Sequence, residues 1–212
     1  MKLNRKALAV SGIAFVIFLG IAISIRLTGY FLFDAQLSNR MSKQVPADYV
    51  SWFTQLGSGV GAVTVTLLLT AISYYLWRDR VGSIWYLLSF LAVAVLNQVA
   101  KAFFVRDRPS LNELVGGVGY SFPSGHSSMA FAVYGGFLIL SWRFLNRAGK
   151  IILGIFLSLL ILAMGSSRII LNVHYFSDVV GGFCFAAFIL CLSYAFISSR
   201  RKQKETGHHV IN

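Results

Sequence analysis

The chain has 212 residues, 57% of them hydrophobic and 12% charged, with a mean hydropathy of +0.71. A soluble domain of this size cannot solvate so apolar a composition, so the sequence reads as an integral membrane protein. The net charge of +12 would suit nucleic acid, but the basic residues gather at the ends of apolar runs, which disfavours a nucleic-acid partner.

The first of these runs, residues 7 to 25, "ALAVSGIAFVIFLGIAISI", holds 19 uncharged positions. At about 1.5 Å per helical residue they cover a hydrocarbon core of roughly 30 Å. The basic start "MKLNRK" followed by an apolar run also resembles a secretory signal, but the run exceeds the roughly 7 to 15 residues of one and no clear cleavage site follows, so a retained helix is expected. The stretch "DAQLSNRMSKQVPADYV", 34 to 50, mixes Leu37, Met41 and Val45 with charges, which suits the outer interface; Pro46 ends any helix there, and no function is assigned to it.

Five further spans are predicted at 52 to 77, 83 to 105, 124 to 143, 150 to 167 and 176 to 198. The expectation is an all-α membrane protein with six transmembrane helices in one bundle, a single domain over 1–212. Cys184 and Cys191 lie two turns apart in the last span, about 10 Å, and cannot pair.

Charge placement orients the chain. With the N-terminus inside, Lys2, Arg5, Lys6, Arg78, Arg80, Arg143, Arg147, Lys150, Arg200, Arg201, Lys202 and Lys204 fall at inner ends, twelve of the 19 Lys and Arg. Both termini are therefore expected to be cytoplasmic. The tail "SSRRKQKETGHHVIN" reads as a positive-inside anchor with a disordered end, and His208 and His209 belong to it.

Ionisable side chains at membrane depth are costly and mark function by default. Here Lys101, Arg106, Arg108, His126, Arg168, His174 and Asp178 all fall at the outer side. Several cations with two imidazoles and little acid describe a pocket for a phosphate-like dianion, whereas a metal ion would be repelled. In "YSFPSGHSSMAF", Ser124 and Gly125 precede the fourth span, so their N–H groups are expected to point outward unpaired as an anion cradle, with a hydroxyl donor from Ser124 and His126 at the rim. Taken alone, that stretch is equally an ordinary capped helix start. If the sixth helix begins near His174, Asp178 stands one turn on, where its carboxylate accepts the Nδ1 proton and leaves Nε2 free to attack phosphorus. An isolated pair of this kind is more simply a satisfied interfacial contact.

Taken together, Lys101 with Arg108-Pro109, Pro123-Ser124-Gly125-His126, and Ser167-Arg168 with His174 and Asp178 resemble the three-part signature of the type 2 phosphatidic-acid phosphatase superfamily, with every spacing intact. The motifs span 101 to 178. The resemblance implies metal-independent hydrolysis through a phosphohistidine, with no cofactor. It makes His174 the nucleophile, Asp178 its orienter and His126 the proton donor to the leaving oxygen and then the activator of water. Lys101, Arg108, Arg168, Ser124 and Gly125 would hold the phosphoryl oxygens, with Ser167 completing the pocket.

The superfamily also contains soluble phosphatases and haloperoxidases, so membrane embedding is what points to a lipid phosphate substrate among membrane lipids. Bacterial members of this short form act on phosphatidylglycerophosphate, the expected substrate here, or on undecaprenyl diphosphate; phosphatidic acid is a third possibility. The site would face the extracytoplasmic side of the cell membrane. A noncatalytic lipid-phosphate binder or transporter is the rival from another class, and no obligate protein partner is evident. Among the remaining residues, Asn97 is expected to bond a neighbouring helix, Gly57 to Gly61 to allow close packing, and Gly116, Gly117 and Gly119 to make a mobile lid.

Overall fold

The computed structural model describes residues 3–29, 31, 33–42, 48–109 and 119–208, and every regular element among them is helical. They are α1 (Arg5–Thr28), α2 (Asp34–Ser42), α3 (Asp48–Thr54), α4 (Gly59–Trp77), α5 (Arg80–Phe104), α6 (Gly125–Ala130), α7 (Gly136–Ser141), α8 (Arg147–Ile170) and α9 (Phe176–His208). Five of these, α1, α4, α5, α8 and α9, are long and apolar enough to cross a membrane. Their outward faces carry large bare hydrophobics such as Val60, Leu27 and Phe103, as lipid-facing helices do.

The sequence places each start. Asn4, Ser58, Asp79 and Asn146 sit at N-caps, and their side-chain oxygens accept the N–H groups of Ala7, Gly61, Gly82 and Gly149. Gly29 closes α1 in the left-handed conformation, its N–H returning to the Ile25 carbonyl. The predicted span 52–77 is corrected: it is interrupted by a tight turn at Gln55–Gly57 and an extended Ser58, so the long helix starts only at Gly59. Hydropathy alone does not register a change of direction inside an apolar run.

The predicted span 124–143 is one helical path in several pieces, ending in a tight turn at Trp142–Phe144. Between α6 and α7 runs a wider, π-helical turn at Phe131–Gly135. Such a turn disturbs the carbonyl ladder, and the Tyr86 hydroxyl donates to the Val133 carbonyl there at 2.9 Å.

Contacts along the chain show how the helices run. Asn4 meets Ala195, Ser11 meets Phe188 and Phe18 packs against Phe185, so α1 and α9 are antiparallel. Ser124 bonds Asp178 and Ser128 bonds Gly182, so α6 runs parallel to α9. The ends of α5 and α8 and the starts of α6 and α9 thus converge at one end of the bundle. Beneath them an aromatic cluster of Phe18, Phe104 and Phe122 packs with ring centroids 5.1 to 6.0 Å apart.

Glycine permits close approach between helices at several points. A Cβ on Gly165 of α8 would stand 2.6 Å from Phe183 and Val179 of α9, and one on Gly57 would stand 2.6 Å from Met164. The second agrees with the packing role expected for the Gly57–Gly61 stretch, although Gly59 also lines the site cavity.

Candidate active site

A cavity of about 460 Å³ opens at the convergent end, and Lys101, Arg108, Gly125, His126 and His174 line it together with Gly59, Gln98 and Met129. Each charged group arrives from a different element. Lys101 stands on the last turn of α5, and its Nζ donates to the carbonyls of Tyr120 and Ser121 at 2.6 and 3.3 Å. Val105 then takes a left-handed turn, φ +48°, rare for a β-branched residue, and this redirects the chain so that Arg106 and Arg108 diverge.

Arg108 reaches across the cavity. Its Nε donates to the Gly119 carbonyl at 2.7 Å, its Nη1 to the Val173 carbonyl at 2.8 Å, and the same Nη1 lies 3.1 Å from His174 Nε2. Arg168, at the end of α8, is fully buried, and its carbonyl accepts the N–H groups of Val173 and His174 at 3.2 and 3.3 Å. It lies near enough to Lys101, Arg108 and His126 to interact with each through charge. The three expected cations therefore do converge.

His174 precedes α9 instead of opening it, because the helix begins at Phe176. The one-turn relationship expected between His174 and Asp178 is replaced by a cap-like loop: Asp178 Oδ2 accepts the Tyr175 N–H at 2.8 Å and lies 3.5 Å from His174 Nδ1. Ser121 joins this arrangement, its hydroxyl donating to Asp178 Oδ2 in a short hydrogen bond and lying 3.3 Å from His174 Nδ1. Burial pushes the His174 imidazole down to about 3, against the pull of the Asp178 carboxylate, so the ring is neutral at physiological pH.

Two expectations for the anion cradle are corrected. The Ser124 N–H is not free but donates to the Asp178 carbonyl at 3.0 Å, and its hydroxyl caps α6, accepting from Ser127 N and Oγ. Ser124 is completely buried and holds the loop against α9. Gly125 and His126 are the members of that motif that line the cavity. Ser167 is likewise engaged within its own helix, its hydroxyl donating to the Met164 carbonyl at 2.6 Å. Asn97 bonds the neighbouring helix as expected, its Nδ2 donating to Ser128 Oγ at 2.9 Å. The glycine-rich stretch expected to form a lid lies outside the described residues, apart from Gly119.

Arg106 and Asp34 are the residues that sequence reasoning missed. Arg106 stands among the outer-side cations in the sequence but not in the cavity lining, and it is buried between two carboxylates, Asp34 at 2.7 Å and Asp178 at 2.6 Å. Burial works against its charge, but Asp178 and Asp34 outweigh this and hold the guanidinium above its ordinary range. The available signal was an acid, Asp34, on the outer side, where cations predominate.

A family model described as the PAP2 superfamily matches residues 82–202. Phosphatidylglycerophosphatase B of Bacillus subtilis (strain 168) is 33% identical over 141 residues, covering 62% of this chain and 69% of that protein. Among solved structures, a transmembrane PAP2-type phosphatidylglycerolphosphate phosphatase from Bacillus subtilis superposes with a TM-score of 0.80 at 26% identity, over 89% of this chain and 96% of that one. Aquifex aeolicus LpxE superposes with a TM-score of 0.62 over 77% of this chain and 95% of its own, at 23% identity, a likeness of fold. Motifs, fold and relatives agree, and the chain belongs to the PAP2 superfamily as a membrane lipid phosphatase.

Proposed function

We propose that the protein hydrolyses phosphatidylglycerophosphate to phosphatidylglycerol without a metal ion, through a phosphohistidine on His174. One contact carries the mechanism. A guanidinium has donors and no acceptor, so the 3.1 Å approach of Arg108 Nη1 requires an unprotonated Nε2 and puts the ring proton on Nδ1, toward Asp178 and Ser121. That is the tautomer a nucleophilic Nε2 needs.

When a phosphate monoester enters, Arg108 exchanges its bond to Nε2 for one to a phosphoryl oxygen, joined by Lys101, Arg168 and the Gly125 amide. Nε2 forms a bond to phosphorus, the ester P–O bond breaks, and the leaving alkoxide takes a proton from His126. Water then attacks the phosphorus with His126 as base, and the P–N bond breaks to release phosphate. The clustered cations stabilise charge on the equatorial oxygens of the in-line transition state. Ser124 and Ser167 act indirectly, Ser124 by capping α6 and Ser167 by its bond within α8.

The substrate reading rests on the relative from Bacillus subtilis and on its structure, both named for this headgroup. The charge distribution supports six spans, both termini in the cytoplasm and the cavity at the extracytoplasmic face.

The test is phosphate release by the purified protein in detergent with excess chelator, offering phosphatidylglycerophosphate, undecaprenyl diphosphate and phosphatidic acid in parallel, with a His174→Ala control. Chelator-resistant release from the first lipid, absent in the variant, is expected. Preference for undecaprenyl diphosphate would reassign the substrate, and release untouched by the substitution would overturn the histidine mechanism.

A further inference from the structure

We infer that Asp34 and Arg106 are positioning residues for the hydrolysis, a charge-balanced brace that aims the Asp178 carboxylate at His174 while leaving it a net negative charge. The inference rests on the histidine mechanism proposed above.

Arg106 leaves α5 two residues before the cavity-lining Arg108 but turns the other way. Its Nη2 lies 2.7 Å from Asp34 Oδ2, and its Nη1 donates to Asp178 Oδ1 at 2.6 Å and to Ser177 Oγ at 2.8 Å. Its guanidinium lies over the Tyr175 ring, 4.3 Å from the centroid. Asp34 also accepts the Ser177 N–H at 2.9 Å and the Ser177 hydroxyl at 2.6 Å, so a residue from α2 caps the first turn of α9. All three charged side chains are buried.

Fixing α2 to α9 would require far less. Three buried charges cost desolvation energy that an apolar contact of the same size avoids, and such groups often reduce stability relative to hydrophobic replacements. Here one arm of the guanidinium goes to the carboxylate that faces the nucleophile. Its contact occupies Oδ1, which turns Oδ2 toward His174 Nδ1.

Charge bookkeeping explains the second acid. Arg106 alone would neutralise Asp178, leaving nothing to stabilise the imidazole when Nε2 bonds phosphorus and the ring becomes cationic. With Asp34 present, the set of two carboxylates and one guanidinium carries one net negative charge. Only a planar fork can engage both acids with two parallel sets of donors, which suits arginine and not lysine.

The test uses the full chain in detergent with the lipid that it hydrolyses best. Asp34→Asn keeps an acceptor for the Ser177 N–H but removes the charge; kcat is expected to fall about tenfold or more, by analogy with the loss of outer hydrogen-bond partners at metal-ligating histidines. KM and inhibition by vanadate, which report the anion cradle, are expected to stay unchanged. The double variant Asp34→Asn with Arg106→Gln restores the single negative charge on Asp178, and its kcat is expected to recover above that of Asp34→Asn.

A mere tether gives a different pattern: a lower Tm, an unchanged kcat per folded molecule, and a double variant no better than the single. That pattern would overturn the inference, as would a rise in KM at constant kcat. If Asp34→Asn does not fold, Arg106→Lys and Asp34→Glu take its place; the brace predicts a lower kcat for the lysine and partial retention for the glutamate, and equal activity in both would overturn it. Wild-type release that survives His174→Ala sinks the histidine mechanism itself, whereas dependence on His174 with full kcat in Asp34→Asn removes only the role given to the brace.

Discussion

His174 is almost wholly buried, at 1% exposure, yet its two ring nitrogens face opposite kinds of partner, a guanidinium at Nε2 and a carboxylate at Nδ1. Burial dominates and keeps the folded ring neutral down to about pH 3, whereas an unfolded histidine titrates near 6.5. The sign follows from linkage: below 6.5 the unfolded chain takes up a proton that the folded one refuses, so this contribution is fully present above about 6.5 and is lost as pH falls toward about 3. The slope is at most about 1.4 kcal/mol per pH unit. Thermal melts of the wild type and of His174→Gln at pH 7.5, 6 and 5 are therefore expected to show the wild type losing ground to the variant as the pH drops. A difference that stays constant over this range would mean that the folded ring titrates as in the unfolded chain, and a wild type that gains on the variant as the pH drops would mean that the folded ring holds its proton, which would remove the neutral nucleophile.

At the scale of elements, the site depends on how closely α9 can approach the loop before α6. A Cβ on Gly182 would meet the Ser124 carbonyl at 2.7 Å, with Ser127 and Ser128 at 3.1 Å. A backbone oxygen cannot rotate away, so Gly182→Ala is expected to push α9 from the cradle, costing about 1 to 3 kcal/mol and lowering both Tm and phosphate release. Gly154 in α8 has nothing within 4 Å of its Cβ position, so Gly154→Ala serves as the control and is expected to be neutral or slightly stabilising. Equal melting temperatures and activities for the two variants would show that this packing does not hold the site. The same elements show what the sequence could and could not reveal. The five long helices were legible because length and hydropathy are local properties, and Lys101, Arg108, His126, Arg168, His174 and Asp178 were legible because charge at membrane depth is conspicuous. The turn at Gln55–Gly57, the start of α9 at Phe176 and the Asp178 carbonyl taken by the Ser124 N–H were not, because each is settled by contacts between segments far apart in the chain. Asp34 and Arg106 lie 72 residues apart, and nothing in their local spacing announces the pair.

At the scale of the whole molecule, the remaining question is how the bundle sits in the bilayer, and the pieces constrain each other. The helical path from Gly125 to Ser141 is 17 residues, 6, 5 and 6 in its three parts, so at about 1.5 Å per residue it reaches about 25 Å, somewhat less than the roughly 30 Å core. It begins at the cavity, however, and a path that starts below the surface needs less length to reach the far side. Positive charge at Arg78, Arg80, Arg143, Arg147 and Lys150 flanks the far ends, which favours a cytoplasmic location for them. Single cysteines in a Cys184→Ser, Cys191→Ser background test this directly. Gln36→Cys on α2, Arg80→Cys at the start of α5 and Trp142→Cys after α7 all replace exposed side chains. In intact cells whose outer barrier admits a membrane-impermeant maleimide, Gln36→Cys is expected to be labelled at once, and the other two only after the membrane is opened. The reverse pattern would turn the cavity to the cytoplasm. Labelling of Trp142→Cys but not Arg80→Cys from outside would mean that the Gly125–Ser141 path does not cross, leaving five spans instead of six and placing the C-terminal end of α9 opposite to the expected side.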